Sequence, residues 1–196
     1  MQVYQTYNND ELSEFIYIPK FFDKAYTNEI LTWIQKLYFI KGMRKNGINI
    51  DREQIWYENN NNYFCKVWKT RHERWEATPY DNFLTNIQDL ISARTNIEIN
   101  SCLINKYNNG NDIISPHKDN MVSFGKIPDI IIYSLGCSRQ LKVSHDSTKE
   151  ELIFNLEPNS IFIMRGGSQK YYTHEITKSD TKETRYSLTF RKYIDN

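Results

Sequence analysis

The chain has 196 residues, a formal net charge of +1, 39% hydrophobic residues and 14% aromatic residues. This length and composition predict one folded domain with a sizeable core, and no run is apolar and long enough to span a membrane. The near-neutral charge excludes a global basic field, so any contact with nucleic acid has to be local.

Three cysteines, Cys65, Cys102 and Cys137, are widely spaced and form no C-x-x-C pair. An odd number at such spacing argues against a disulfide framework and against a zinc knuckle. Residues 1–10 are polar and contain no apolar segment typical of a secretory leader. We therefore expect an intracellular protein in a reducing compartment, the nucleus or cytoplasm if the source is eukaryotic, and we expect a monomer without membrane contact.

Two helices are predicted in the first half of the chain. Asp23 can cap a helix that continues to Phe39, and Thr78 can cap a second helix whose first residue is Pro79. Both segments carry apolar residues at helical spacing, which are Tyr26, Ile30, Trp33, Ile34 and Leu37 in the first and Phe83, Ile87, Leu90 and Ile91 in the second.

From residue 99 onward the pattern changes to short strands separated by Gly, Asn, Asp and Ser. The candidates are 99–107, 129–135, 140–145, 152–156, 160–164 and 184–193, with 135–139 as a hairpin tip. Helices followed by antiparallel strands predict an α+β, mainly β fold, a double-stranded β-helix (jelly-roll) barrel buttressed by N-terminal helices. We expect a single domain over 1–196, with the helices and the substrate-recognition region in 1–95 and the catalytic core in 96–196.

The last third carries the candidate chemistry. His117 and Asp119 form an H-x-D pair, and His174 follows later in the chain. Two imidazoles and one carboxylate with open metal positions are the ligand set of non-haem Fe(II) oxygenases. Taken alone, either histidine could be an ordinary polar residue at a strand end.

Strand alternation sorts the residues that follow. Arg185, Ser187, Thr189 and Arg191 share one face, and Leu103, Asn105 and Tyr107 share a face of another strand. Arginines that face the inside of a barrel require an anionic ligand, because an unpaired buried charge is costly, and the dicarboxylate 2-oxoglutarate meets that requirement. The alternative is a pair of exposed cations on a half-buried strand. Six residues of strand span roughly 20 Å, which is more than the length of the cosubstrate, so either the two guanidinium groups lean toward each other or only one pairs directly with a carboxylate. We favour Arg185 as the direct partner of the distal carboxylate.

An ordered series of motifs resembles the AlkB-type Fe(II)/2-oxoglutarate dioxygenases, from about residue 50 to the C-terminus. The pieces are Leu103-Ile-Asn-Lys-Tyr107, Asn109-Gly, His117-Lys-Asp119, Tyr133-Ser-Leu-Gly136, Arg139, Ser160-Ile-Phe-Ile-Met164, Gln169-x-x-Tyr-x-His174 and Arg185-x-Ser-x-Thr-Phe-Arg191. The series is most similar to the branch that repairs alkylated DNA and RNA.

The resemblance implies a role for each matching residue. His117, Asp119 and His174 would bind Fe(II), Arg185 would hold the distal carboxylate of 2-oxoglutarate with Tyr107 and Ser187, and Asn105 and Arg191 would lie near its chelating end. Upstream, the segment from Arg52 to Tyr57 resembles the one that holds the target base, with Trp56 or Tyr57 stacking on the base opposite His174.

The implied activity is oxidative demethylation of N-alkylated bases in DNA or RNA, with release of succinate, CO₂ and formaldehyde. Asn120, Met121 and Gln140 stand where relatives carry acids, so we expect Asn120 to contact the base and the preference for cationic bases to be weaker. The run 66–74 mixes basic and aromatic residues, which suits either a nucleic-acid strand or a solvated surface. The alternatives are the same chemistry on a protein side chain or small molecule, and a catalytically silent nucleic-acid-binding homologue.

Overall fold

The computed structural model describes residues 1–194. In chain order the strands are β1 (Gln2–Asn8), β2 (Glu11–Ile18), β3 (Ile40–Arg44), β4 (Asn49–Glu58), β5 (His72–Glu73), β6 (Ala77–Thr78), β7 (Ser101–Tyr107), β8 (Ile114–His117), β9 (Ile130–Gly136), β10 (Arg139–His145), β11 (Glu151–Leu156), β12 (Ser160–Gly166), β13 (Tyr172–Ile176) and β14 (Arg185–Arg191). The helices are α1 (Lys24–Ile34), α2 (Asn82–Thr95), α3 (Met121–Phe124) and α4 (Ser168–Tyr171).

These strands form two sheets. The larger sheet has the order β1-β2-β12-β9-β14-β7-β4-β3-β5, with β6 added in parallel to β4, and its other pairs are antiparallel. The smaller sheet has the antiparallel order β11-β10-β13-β8. Two antiparallel sheets with few helices fit the expected jelly-roll class.

The two sheets pack face to face over an apolar core. Phe15 and Phe162 from the larger sheet meet Leu141 and Tyr172 from the smaller one. The rings of Phe15 and Tyr172 contact edge to face, with centroids 5.0 Å apart. This core fills one side of the space between the sheets, and polar residues, most of them on or next to the strands β4, β7, β8 and β14, line a cavity beside it.

Helices α1 and α2 cover the outer face of the larger sheet, as expected. Their buried residues, among them Ile30 and Ile87, pack with Leu188 and Phe190 of β14. Asp23 caps α1 as predicted, because its side chain accepts a hydrogen bond from the Tyr26 amide at 2.8 Å.

The predicted start of α2 and end of α1 are wrong. The N-cap of α2 is Asp81, whose carboxylate accepts from the Leu84 amide at 2.7 Å, while Thr78 lies in β6 against β4. A carboxylate three residues before the amide satisfies the free N–H of the first turn, so Thr78 is not needed as a cap. Helix α1 ends at Ile34, before Phe39.

The pairing of strands adds detail to one expectation and corrects another. Residues 1–95 supply strands as well as helices, since β2 pairs with β12 and β4 pairs with β7. The turn 135–139 is not a hairpin tip, because β9 and β10 lie in different sheets. Gly136 makes this crossing with φ +81°, where a Cβ would lie 2.2 Å from the Thr184 carbonyl oxygen. Within residues 1–194, the helices are all too short or too polar to cross a bilayer.

Candidate metal and cosubstrate site

The smaller sheet brings the three candidate metal ligands together. His117 ends β8, and its backbone pairs with that of His174 on β13. Asp119 follows β8 by two residues. The candidate ligand atoms all lie within 4.8 Å of one another, and the two imidazole rings have centroids 4.2 Å apart. This donor set, two imidazoles and a carboxylate on one side of a cavity, fits a non-haem Fe(II) ion.

Burial and charge set the protonation states of these ligands. Burial lowers the pKa of His174 to about 3 and also lowers the pKa of His117, although Asp119 opposes the second shift. Burial by itself would raise the pKa of Asp119, but the neighbouring Arg191 guanidinium leads the effects that lower it. Near neutral pH the imidazoles are therefore neutral and the carboxylate ionised, which are the forms that bind a divalent metal.

Supporting contacts fix how these ligands are oriented. The Nδ1 of His117 donates to the Ser115 carbonyl oxygen at 2.9 Å, which leaves Nε2 free for a metal. The Asp119 amide donates to Oε1 of Gln169 at 2.9 Å. The Nε of Arg191 donates to Oδ2 of Asp119 in a buried ion pair. The sequence argument gave no role to Ser115 or Gln169, although Gln169 belongs to the motif that contains His174.

The polar faces predicted from strand alternation line one cavity of about 400 Å³ beside the metal ligands. Strands β7 and β14 are neighbours, with Arg185 opposite Tyr107 and Ser187 opposite Asn105. The cavity-lining residues of these strands are Leu103, Asn105, Tyr107, Arg185, Ser187, Thr189 and Arg191. The alternate residues Tyr186, Leu188 and Phe190 pack into the helix-covered core. The alternation prediction is confirmed.

Arg185 is a buried cation with unused hydrogen-bonding capacity. Its side chain is fully buried, and Nη2 donates to Oγ of Ser134 at 2.9 Å. Its guanidinium carbon lies 5.1 Å from the centroid of the Tyr107 ring. Within the described residues its Nε and Nη1 have no hydrogen-bond partner. Burial lowers the pKa of Arg185, but a guanidinium stays charged in proteins. A carboxylate at this position would pair with the open donors, so the site fits the distal carboxylate of 2-oxoglutarate.

The two arginines of β14 therefore have different partners. Arg191 is engaged by Asp119, whereas Arg185 keeps two donors open to the cavity. Asn105 lies between these regions, and its Oδ1 accepts from Nε of Arg52 at 2.7 Å. This division supports Arg185 as the direct cosubstrate partner, which stays a prediction. The sequence argument did not identify Ser134 as the residue that holds Arg185.

The predicted base-stacking residues on β4 are buried elsewhere. Trp56 is 1% exposed, donates its indole N–H to the Asn62 carbonyl at 2.8 Å and packs edge to face on Phe64. Tyr57 packs on Tyr80 in the helix-covered core. Neither side chain lines the cavity, so stacking of a base on Trp56 or Tyr57 is contradicted. The reason is that residues 54–58 of β4 are buried on both faces of the sheet, whereas residues 49–52 at the start of the same strand line the cavity.

Arg52 and Asn120, which the sequence assigns to the substrate base, line the cavity, and their contact with a base stays a prediction. Asn120 also caps α3, because its Oδ1 accepts from the Ser123 amide at 3.0 Å. Among the aromatic residues that line the cavity, Trp68 is partly exposed and stacks on His72 with centroids 4.4 Å apart. The signal for Trp68 was the basic and aromatic run 66–74.

Comparison with known proteins agrees with this geometry. A family model described as the 2OG-Fe(II) oxygenase superfamily matches residues 14–191. Human "Alpha-ketoglutarate-dependent dioxygenase alkB homolog 3" is 29% identical over 55% of this chain and 41% of its own length. "DNA oxidative demethylase ALKBH2" of Arabidopsis thaliana is 27% identical over 47% of this chain and 37% of its own length. The chain thus spans about two fifths of the length of these curated relatives.

Solved structures share the fold. OsALKBH1 superposes with a TM-score of 0.65 at 15% identity, over 91% of this chain and 97% of that one. An oxidoreductase of the 2OG-Fe(II) oxygenase family from Burkholderia pseudomallei superposes with a TM-score of 0.62 at 13% identity, over 91% of this chain and 85% of that one. The chain belongs to the 2OG-Fe(II) oxygenase superfamily, is AlkB-like within it, and has the residues to hold the family's Fe(II) and 2-oxoglutarate.

Proposed function

We propose that this chain is an Fe(II)- and 2-oxoglutarate-dependent dioxygenase that oxidatively demethylates N-alkylated bases in DNA or RNA. One observation carries the proposal: the ligand triad lines the same cavity as Arg185, whose Nε and Nη1 have no hydrogen-bond partner within residues 1–194. A relative whose name is DNA oxidative demethylase supports nucleic acid as the substrate.

Five cavity residues have a task in this reaction. His117, Asp119 and His174 hold the metal, and before the metal binds Arg191 neutralises the buried Asp119 carboxylate. Arg185 anchors the distal carboxylate of the cosubstrate. When bound, Fe(II) and 2-oxoglutarate use O₂ to oxidise a substrate C–H bond, and succinate and CO₂ are released. The chain supplies position and excludes water.

The substrate base has to reach the cavity from a single strand or by leaving its stack. Trp68 offers the exposed aromatic surface at the mouth, and stacking on such a surface is worth roughly 1–3 kcal/mol per base. Hydroxylation of the N-methyl carbon gives a hemiaminal, whose C–N bond breaks to release formaldehyde and the repaired base.

A substrate panel tests this function. Iron-loaded protein is given 2-oxoglutarate, O₂ and single strands that carry 1-methyladenine, 3-methylcytosine or a neutral N-methylated base, and succinate and formaldehyde are measured. We expect formaldehyde in proportion to succinate above the substrate-free rate, and none from His174→Ala. A wild type that binds iron but releases no formaldehyde from any strand contradicts the proposal, and a wild type that binds no iron indicates a silent homologue.

The charge of the cavity keeps a second candidate open, which is the same oxidation of a protein side chain or small molecule. Three buried arginines, Arg52, Arg185 and Arg191, line the cavity, whereas Asp119 is its one buried acid among the described residues. This excess of positive charge favours a neutral or anionic group over a cationic base. Peptides and small acids therefore belong in the same panel.

A further inference from the structure

A shallow groove lies beside the cavity mouth, between the β3–β4 turn and the segment before β5. We call it the cationic groove and define it by the residues that line it, Arg44, Lys45, Asn46, Thr70, Arg71 and His72. Arg44 and His72 also line the cavity. The groove is therefore continuous with the mouth of the cavity.

The groove concentrates positive charge in a chain whose net charge is only +1. Lys45 pairs with Glu73 at 3.2 Å, but both side chains are well exposed, so this pair is weak. Neither Arg44 nor Arg71 forms an ion pair within residues 1–194. Burial lowers the pKa of His72, and the charges of Arg44 and Arg71 lower it further, so the imidazole senses both cations.

Backbone hydrogen bonds hold the two walls of the groove together. The Lys45 amide donates to the Arg71 carbonyl oxygen at 2.9 Å, and Arg44 is opposite His72 in the β3–β5 pair. The turn itself is closed by the bond from the Gly47 amide to the Arg44 carbonyl oxygen at 2.8 Å, with Gly47 at φ +83°. The cations are thus presented at fixed backbone positions.

We propose that the cationic groove binds the phosphodiester backbone of the nucleic-acid strand whose base enters the cavity. The proposal rests on the proposed function and assigns the groove the task of placing the strand. Guanidinium and ammonium groups suit phosphate oxygens, and such contacts set position without reading sequence. The stacked pair Trp68 and His72 stands between groove and cavity, so a base can lie against Trp68 while its flanking phosphates meet Arg71 and Lys45.

The test measures the equilibrium binding of an unmethylated single strand of about 12 nucleotides, with fluorescence anisotropy as the readout, over a series of salt concentrations. The variant is Lys45→Gln with Arg71→Gln. The matched control is Lys24→Gln with Lys36→Gln, which removes two exposed cations at the ends of α1, on the outer face of the larger sheet. For single strands each phosphate contact contributes about −0.7 to the slope of log K against log salt concentration. The slope of the groove variant should therefore be shallower than that of the wild type by about 1.4, and the slope of the control should be unchanged.

A single strand with uncharged methylphosphonate linkages separates backbone contacts from base contacts. The wild type and the groove variant should bind it equally. Thermal unfolding shows whether the double variant is folded, and Arg71→Gln alone, with an expected slope change of about 0.7, replaces it if it is not.

The groove and the proposed function fail in different ways. Binding needs no metal, cosubstrate or methyl group, so strand binding that depends on Lys45 and Arg71 without any demethylation overturns only the function. Demethylation of single strands with a salt slope unchanged in the groove variant overturns only the groove. A wild type that does not bind the charged strand at low salt overturns the groove as well.

Discussion

Replacing Arg191 by Gln removes the cation that holds the metal-binding carboxylate. Arg191 and Asp119 form an ion pair in which the side chains are only 5% and 4% exposed. Without Arg191, the effect of burial, which raises the pKa of Asp119, loses its largest counteracting charge. Asp119 is then either a buried carboxylate without an ion-pair partner or a protonated acid. Breaking a buried pair on one side costs about 3–5 kcal/mol. For a chain of this size that corresponds to a fall in Tm of about 6–20 °C.

The assay is thermal and urea unfolding of the metal-free protein. Arg165→Gln is the matched control, since Arg165 also pairs with an aspartate, Asp129, at 3.3 Å but is 39% exposed. An exposed pair of this kind contributes at most about 1 kcal/mol. Arg191→Lys keeps the charge and should recover part of the loss. If Arg191→Gln is no less stable than Arg165→Gln, the ion pair does not support the site and the reasoning is wrong.

A metal changes the expected size of the effect. A divalent ion bound next to Asp119 would itself neutralise the carboxylate, so the gap in unfolding free energy between wild type and Arg191→Gln should narrow when Mn²⁺ is added. The narrowing should be absent for Arg165→Gln. If the difference in unfolding free energy between wild type and Arg191→Gln is the same with and without metal, Arg191 does not act on the metal-binding carboxylate.

Four further outcomes are expected. Arg185→Ala should weaken 2-oxoglutarate binding by about 3–5 kcal/mol in calorimetry while iron content is retained, and unchanged affinity would remove Arg185 from the cosubstrate site. Trp68→Ala should reduce the turnover of methylated strands more than it reduces substrate-free succinate formation. Trp56→Ala should chiefly lower the free energy of unfolding, by about 3–5 kcal/mol. The reverse pattern would show that the base stacks on Trp56 of β4 and not on Trp68. The free energy of unfolding of the metal-free protein should fall by up to about 1.4 kcal/mol per pH unit as the pH falls from 6.5 towards 3. The reason is that the pKa of His174 is lowered in the folded protein, so that in this pH range only the unfolded state takes up its proton. In urea titrations, His174→Ala should make this dependence on pH weaker. Asn120→Asp should shift turnover from neutral towards cationic bases, and equal ratios in both proteins would show that this position does not read base charge.

The sequence was sufficient for features that depend on local pattern. The spacing of His117 and Asp119 predicted two of the three candidate ligands, and the two-residue period of β14 predicted which of its residues face the cavity, because alternation along a strand is a property of the backbone. The apolar stripes of α1 and α2 predicted that both helices cover the sheet, although Asp81 rather than Thr78 caps the second.

Tertiary structure decided features that depend on which strands are neighbours. Trp56 and Tyr57 match a base-holding segment, yet residues 54–58 of β4 are buried on both faces of the sheet, and the partly exposed aromatic residue that lines the cavity is Trp68. The different partners of Arg185 and Arg191 likewise could not be inferred from their spacing. Ser134 and Asp119 are both far from β14 in sequence. Ser134 reaches Arg185 only when β9 pairs with β14, and Asp119 reaches Arg191 only when the smaller sheet closes over the cavity. Hydrophobic burial fixes these pairings over the whole chain, and no short pattern contains that information.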